Sequence, residues 1–448
     1  MRHYDIAIIG SGPAGISAAI VASESGLKTA VFDEQHQVGG QIYRALEKTP
    51  IKDRTMLGKD YWDGEDLIEK FNSSDAHFFG GCTVWDISED NIISYRTKGS
   101  SKQVCCKHLI LATGALERSI PFEGWDLGGI FTAGAGQVLL KDSGAIVKDT
   151  VLVGSGPLID VLAHQYIKAG HPPKAIVDTT PYSNHFKACK KLTNAIKGAG
   201  YLKKGLSLKA SIKMHGVKVY TNCKNIRATG AQQIENIQFS QFGKDVVIPT
   251  DSLMIHFGVI PNINITRALG VDIYWDENQQ CYRPVVDESF RTNRENTYMV
   301  GDAIGILGAK SASINGQIAA YDIANNEKAK AILKKESRKD AAIRPFLEQL
   351  FRIPSVDDLQ LTPDTIICKC ESITLAEIEK AIEVGAQSLN EIKSFTRSGM
   401  GPCQGRQCGN IIAMISAGKH KVSARNIEYY KTRSPYVPIT FAEMSDNK

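Results

Sequence analysis

The stretch Gly10-Ser11-Gly12-Pro13-Ala14-Gly15 limits what this chain can fold into more than any other. It follows an apolar run of strand length, Tyr4 to Ile9. It opens a helical pattern from Ala14 to about Ser25, which Gly26 is placed to end. A second strand, Lys28 to Phe32, closes on Asp33. Strand, glycine turn, helix, strand and acid in that order make a dinucleotide-binding unit. Gly10 permits the tight turn, Gly12 lets backbone approach a pyrophosphate, and Gly15 allows close helix–strand packing. Pro13 and Ala14 begin a helix whose free N–H groups and positive dipole end would face phosphate. Asp33, 18 residues after Gly15, is placed to accept from ribose hydroxyls, with Glu34 as second choice.

A blurred copy follows at Thr150 to Asp160, T-V-L-V-G-S-G-P-L-I-D. Gly154 and Gly156 are present, but Ile159 takes the third glycine position and should hold the helix off the strand. Its second strand ends at Asp178, an acid that suits a ribose diol and repels a 2′-phosphate. This seat would take NADH or another adenine nucleotide, or it has kept the scaffold and lost the ligand.

Length and composition bound the rest. A chain of 448 residues has room for two to four domains. Apolar content of 43 % with 23 % charge describes a globular protein with a substantial core. The net charge of +5 is small and the lysines read as scattered, which excludes nucleic acid as the expected partner. No apolar run reaches membrane-span length, and the N-terminus enters a strand at once, without signal-peptide anatomy. The chain therefore reads as cytoplasmic. There its ten cysteines stay reduced, and a tight cysteine cluster suits metal better than disulfides.

Such a cluster exists. Cys368 and Cys370 form C-x-C, and 32 residues later Cys403 and Cys408 form C-x4-C. Thr374 with Glu377 and Ser388 with Glu391 predict capping boxes for two short helices, and a third helix, about Ile411 to Ala417, begins just past Cys408. The thiols thus fall on loops where they can converge. The spacing leaves a [2Fe–2S] cluster and zinc both open. Lys369, Arg406 and the dipole of the third helix would offset the charge of a four-thiolate cluster. Cys82, Cys105, Cys106, Cys189, Cys223 and Cys281 lack ligand spacing and read as buried structural thiols. His256 reads as a satisfied core histidine rather than a flavin neighbour.

Three further segments carry a resemblance: V-G-G-Q-I-Y-R (with Gly40 and Gln41), L-I-L-A-T-G-A (Thr113 and Gly114) and Y-M-V-G-D-A (Gly301 and Asp302). They resemble the FAD-contacting segments of two-dinucleotide flavoprotein reductases. The resemblance implies FAD, with Asp302 near its ribityl–phosphate region and a helix from about Ser311 to Ala324 pointing its N-terminus at the isoalloxazine. C-K-C-E-S-I-T, T-R-S-G-M-G-P-C-Q-G-R-Q-C-G and the tail S-P-Y-V-P-I are similar to one family in particular. It holds the flavin subunits of octopine and nopaline oxidases, of hydrogen cyanide synthase, and of multi-subunit proline and hydroxyproline dehydrogenases. Its C-terminal [2Fe–2S] domain is similar to bacterioferritin-associated ferredoxin, whose second pair is C-x-x-C.

That membership implies Cys368, Cys370, Cys403 and Cys408 as cluster ligands. It implies an α/β, two-dinucleotide-binding-domain flavoprotein with a small α-helical [2Fe–2S] domain. Residues 1–118 and 262–330 would form the FAD domain and 119–261 a NAD(P)-like domain. A helical connector at 331–361, the cluster domain at 362–420 and a tail at 421–448 would complete the chain. The function implied is an electron-transfer subunit of an amino- or imino-acid dehydrogenase. Its partners would be a second flavoprotein subunit carrying the substrate site and a small ferredoxin-like subunit. A self-sufficient NADH-dependent reductase is the alternative. No catalytic residue is assigned.

Overall fold

The computed structural model describes residues 1–445. Its first sheet has seven strands and begins with the order His77–Gly80, Thr29–Asp33, Arg2–Ile9, Ser100–Leu111; Thr297–Met299 also pairs with Ser100–Leu111. All these pairs are parallel. Parallel strands are covered on both faces, so they read as unbroken apolar runs, and Ile6, Ala7 and Ile8 are fully buried. Ile92–Thr97 and Thr83–Ile87 continue the sheet in antiparallel fashion.

The glycine turn leads into the Pro13–Glu24 helix, one residue earlier at each end than the pattern places it. A second helix, Ala309–Ile323, crosses it at very short range. A Cβ on Gly316 would lie 2.0 Å from the carbonyl oxygen of Ala14, so no larger residue allows this crossing. The Glu327–Ala341 and Arg344–Leu350 helices form the connector. Lys330 Nζ and Arg291 Nε reach the two carboxylate oxygens of Asp322, each at 2.7 Å, and Tyr298 Oη donates to it at 3.0 Å. Burial pushes the Asp322 carboxyl up, but these donors outweigh it and hold the group at about 2. A carboxyl depressed below its unfolded value of 3.8 adds stability that is full above that value and lost as pH falls toward 2. Asp322→Asn is therefore expected to lower Tm at neutral pH, with the gap to wild type closing in acid, as thermal melts across pH would read.

The interrupting domain has a five-stranded parallel sheet in the order Lys218–Tyr220, Ala175–Asp178, Val151–Gly154, Leu253–His256, Ile130–Thr132. A three-stranded antiparallel sheet, Lys224–Thr229, Asn236–Gln241 and Lys244–Pro249, stands beside it. The chain enters and leaves through one ribbon, in which Ala115–Glu117 pairs with Val259–Pro261.

In the C-terminal unit both capping boxes form as the sequence predicts, on the Leu375–Glu383 and Leu389–Thr396 helices. Their apolar faces, with Ile378, Leu389 and Ile392, pack on Ile412 of the Gly409–His420 helix in one core. The tail ties this unit down. Tyr436 is buried, its N–H donates to Trp85 O at 2.9 Å, and its hydroxyl accepts from Ile87 N at 3.1 Å.

Candidate functional site

The first glycine turn is built from backbone approaches that exclude side chains. Gly10 has φ +106°, and a Cβ there would lie 2.3 Å from Ala112 O; one on Gly15 would lie 1.9 Å from Gly10 O. Gly40, at φ +60°, rests against Gly12, so that a Cβ would lie 2.7 Å from Gly12 Cα. Pro13 sits at the start of its helix, and no side chain caps the N-terminus, which leaves those N–H groups for a ligand. Asp33 braces the turn: its carboxylate accepts from Ser11 N and Ser11 Oγ, both at 2.7 Å, and from Gln35 N at 2.8 Å. A carboxylate offers about four acceptor positions, so room remains for a ribose hydroxyl. Glu34 is exposed.

Two other segments close on this turn. Gly301, at φ +69°, packs where a Cβ would meet Ala14 Cβ at 2.8 Å. Asp302 Oδ1 accepts from Leu307 N at 3.0 Å and Gly308 N at 3.1 Å, shaping the loop before the Ala309–Ile323 helix. Thr113 Oγ1 donates to Asn262 O at 3.1 Å, and Asn262 N donates to Gly114 O at 3.0 Å. The Asn262 side-chain oxygen is buried without a donor. Glycine cradle, open helix end and orphan acceptor together fit a dinucleotide.

Nothing in the sequence points to Lys141, which is buried on the Ala133–Ser143 helix of the interrupting domain. Its Nζ donates to Gln41 O and Ile42 O, each at 2.9 Å, and to Gln137 Oε1 at 3.1 Å. It thereby clamps the loop that holds Gly40. Burial, with the Arg44 charge adding to it, pushes this ammonium down to about 7 from 10.5. Between those values the unfolded chain binds a proton that the folded chain lacks, so stability rises with pH across that window. Relative to Lys141→Met, the wild type is expected to gain about 3 kcal/mol between pH 6 and pH 9 in denaturant titrations.

The second turn differs from the first at its third glycine position. Gly154 and Gly156 have φ +134° and +122°, and Ile159 is buried where Gly15 leaves no space for a Cβ, so its helix must stand further from its strand. Asp178 Oδ1 accepts from Thr180 N at 2.9 Å. His256 is buried with Nδ1 2.7 Å from Glu117 Oε2, a satisfied histidine as expected. Its ring borders the second turn, 3.2 Å from a Cβ placed on Gly156. Glu117 also accepts from Gly134 N at 2.7 Å, so the pair ties the connecting ribbon to this turn.

The cysteines of the C-terminal unit come together in pairs, Cys368 with Cys408 and Cys370 with Cys403. Cys368 and Cys408 are buried, Cys403 is half-buried and Cys370 is exposed. The loops interlock at Gly401, where a Cβ would lie 2.3 Å from Cys370 Cβ. The thiol of Cys408 holds Cys368 down to about 6 against burial, helped by the N–H groups of Gly399, Glu371 and Cys370. Burial, in turn, pushes Cys370 up, and Cys403 is its side-chain partner. Among the described residues no three His, Cys, Asp or Glu side chains gather as one metal ion would require.

Two expectations fail here. Lys369 does not face the thiols: its Nζ donates to Trp125 O at 2.9 Å and lies 3.9 Å from the centre of that indole ring. Arg406 turns to the tail, donating to Tyr436 O at 2.7 Å. Both cations serve docking, because neighbouring units present carbonyls within their reach. Of the remaining thiols, Cys189 is exposed and Cys105 half-buried, against the expectation of burial. Cys105 Sγ lies 2.7 Å from His3 Nδ1.

The cluster loop rests directly on the dinucleotide domain. Asn264 Nδ2 donates to Gln404 O at 3.4 Å, two residues after Asn262 contacts Gly114. A cavity of about 10 Å³ lies at this seam, bordered by Pro261, Asn264, Arg406 and Asn410.

Fold and site define an FAD-dependent oxidoreductase with two dinucleotide-type domains and a [2Fe–2S]-binding domain. The pyridine nucleotide-disulphide oxidoreductase family matches residues 4–324, and the BFD-like [2Fe-2S] binding domain matches residues 366–415. The opine oxidase A subunit of Rhizobium meliloti is 35 % identical over 462 residues, covering 99 % of this chain and 88 % of that one. Hydrogen cyanide synthase subunit HcnB of Pseudomonas aeruginosa is 28 % identical, covering 97 % of each. L-proline dehydrogenase from P. horikoshii superposes with a TM-score of 0.74 at 22 % identity, over 99 % of this chain and 79 % of that one. The chain belongs to the pyridine nucleotide-disulphide oxidoreductases and, within them, to the family of the opine oxidase A subunits.

Proposed function

We propose that this chain is the electron-transfer subunit of a hetero-oligomeric amino- or imino-acid dehydrogenase of proline, hydroxyproline or opine type. The substrate site would lie on a second flavoprotein subunit, and a further partner would be a small ferredoxin-like subunit. The observation that carries this reading is the seam at Asn262 to Asn264. It runs from the Gly114 turn to the residue beside Cys403 in three positions, with almost no room for water. When bound, FAD supplies two-electron hydride chemistry with single-electron return, and a [2Fe–2S] cluster supplies one-electron transfer.

The residues divide the work of holding these groups. Gly10, Gly12, Pro13, Ala14 and Gly15 would seat the pyrophosphate of FAD, and Asp33 or Glu34 its ribose. Gly40, Gln41, Thr113, Gly114, Gly301 and Asp302 would wall the rest. Cys368, Cys370, Cys403 and Cys408 would hold the cluster, the exposed edge at Cys370 giving a partner access. Gly154, Gly156 and Asp178 would form an adenine-nucleotide seat.

Purification of the complex from its native host tests the reading. Co-elution with a second flavoprotein that reduces the FAD of this chain when an amino or imino acid is added supports it. Rapid bleaching of the isolated chain's flavin by NADH, with no co-eluting subunit, would replace it by a self-sufficient NADH-dependent reductase.

A further inference from the structure

From Thr179 to Ile234 the chain carries ten lysines, one arginine (Arg227) and no aspartate or glutamate. The fold turns much of this segment into the helices Tyr182–Cys189, Leu192–Lys197 and Ala199–Met214 on the outside of the interrupting domain. The inner side of the third helix is anchored on the Pro157–Lys168 helix, with Lys209 Nζ 3.2 Å from Asp160 Oδ2. Lys203, Leu206, Ala210 and Lys213 recur at spacings that share one face, and all four are exposed.

Large apolar side chains stand out among these lysines. Phe186 is 77 % exposed, Leu192 51 %, Ile196 71 %, Leu206 70 % and Met214 77 %. Among the described residues, exposed Lys187, Lys190, Lys203 and Lys213 form no salt bridge, although Lys204 and Lys209 do. Lysines that look scattered in sequence are therefore concentrated around exposed apolar groups, and these four have no ion-pair partner among the described residues. Apolar exposure of this kind marks an interaction surface.

The composition selects the partner. Protein interfaces favour arginine and deplete lysine, and this segment has no arginine before Arg227. Lysine charge interleaved with exposed Phe, Ile and Leu instead suits the headgroup boundary of an anionic membrane, where apolar burial and charge attraction add. Each such lysine attracts anionic headgroups strongly and only within a Debye length. Among the described residues no helix is long and apolar enough to cross a membrane, so contact through these helices would be peripheral.

We propose that the outer faces of these three helices dock the protein on an anionic lipid surface. The inference is independent of which substrate the enzyme complex oxidises.

The test is co-sedimentation of the FAD-loaded full chain with phosphatidylcholine vesicles, with and without about one-third phosphatidylglycerol. Binding to the anionic vesicles alone, weakened by high salt, is expected. Reversal of Lys190→Glu, Lys203→Glu and Lys213→Glu together is expected to weaken partitioning at least about a hundredfold. Reversal at Lys98, Lys148 and Lys335 changes net charge equally and should leave it within about twofold. Phe186→Ser with Ile196→Ser and Leu206→Ser should abolish the binding that survives salt. Flavin absorbance and melting should stay unchanged, since every altered side chain is exposed. No sedimentation with anionic vesicles, or equal loss in the two lysine sets, overturns the proposal. So would vesicle binding that is untouched by the helix variants while a co-purifying protein subunit is lost; the face would then be a protein interface.

Discussion

Cys403→Ser should purify as a yellow protein with its full complement of FAD and less than about a tenth of the wild-type iron and acid-labile sulfide. A binuclear cluster needs two thiolates on each iron, and Cys403 is the side-chain partner of Cys370 on the outer edge of the site. Serine offers a hard hydroxyl where a soft thiolate is required. The substitution does not touch the core, because Cys403 is only half-buried while Ile378, Leu389, Ile392 and Ile412 pack without it. Capping boxes at Thr374 and Ser388 further support the helices around the site. Transfer of electrons to a one-electron acceptor should fall at least about a hundredfold, since the thiol-rich edge at the surface is lost. Metal analysis of the wild type decides the identity of the site. Two irons and two sulfides per chain agree with the assignment, whereas one zinc and no sulfide would sink it.

Whatever is encoded within one turn or one short motif is legible in the sequence. The helix that opens at Pro13 and the capping boxes at Thr374 and Ser388 depend on neighbours a few residues away, and each forms within a residue of where the sequence places it. The misreadings share a different cause. Proximity in sequence puts Lys369 and Arg406 beside the cysteines, but long side chains are free to reach acceptors on other units. The carbonyls of Trp125 and Tyr436 lie within that reach. Lys141 and Glu117 leave no local signal, because their partners, the Gln41–Ile42 carbonyls and His256, come from across the domain boundary. The outward face at Phe186 and Ile196 is hidden because periodicity shows which residues share a face, not whether anything covers it.

Gly40→Ala is expected to cost the protein most of its FAD while leaving its fold nearly intact. Two effects act together at this position. The backbone is left-handed, φ +60°, which costs an alanine about 1–2 kcal/mol. In addition the new Cβ, fixed by the backbone that carries it, would lie 2.7 Å from Gly12 Cα, a backbone atom that cannot swing aside. The loop must then rise from the glycine turn, at the point where Gly12 lets backbone approach a pyrophosphate. Lys141 still grips the Gln41 and Ile42 carbonyls and limits how far the distortion spreads. Bound FAD, read as the ratio of flavin to protein absorbance, should fall at least about tenfold, equivalent to about 1.4 kcal/mol. Gly26→Ala separates the two effects: Gly26 has φ +74° and nothing within 4 Å of a built Cβ. It should lower Tm by a similar strain term and keep its flavin. If Gly40→Ala also keeps its flavin, the loop from Val38 to Arg44 is not a wall of the FAD seat. A loss in both variants would mean that strain in any turn of this domain is enough to eject the cofactor.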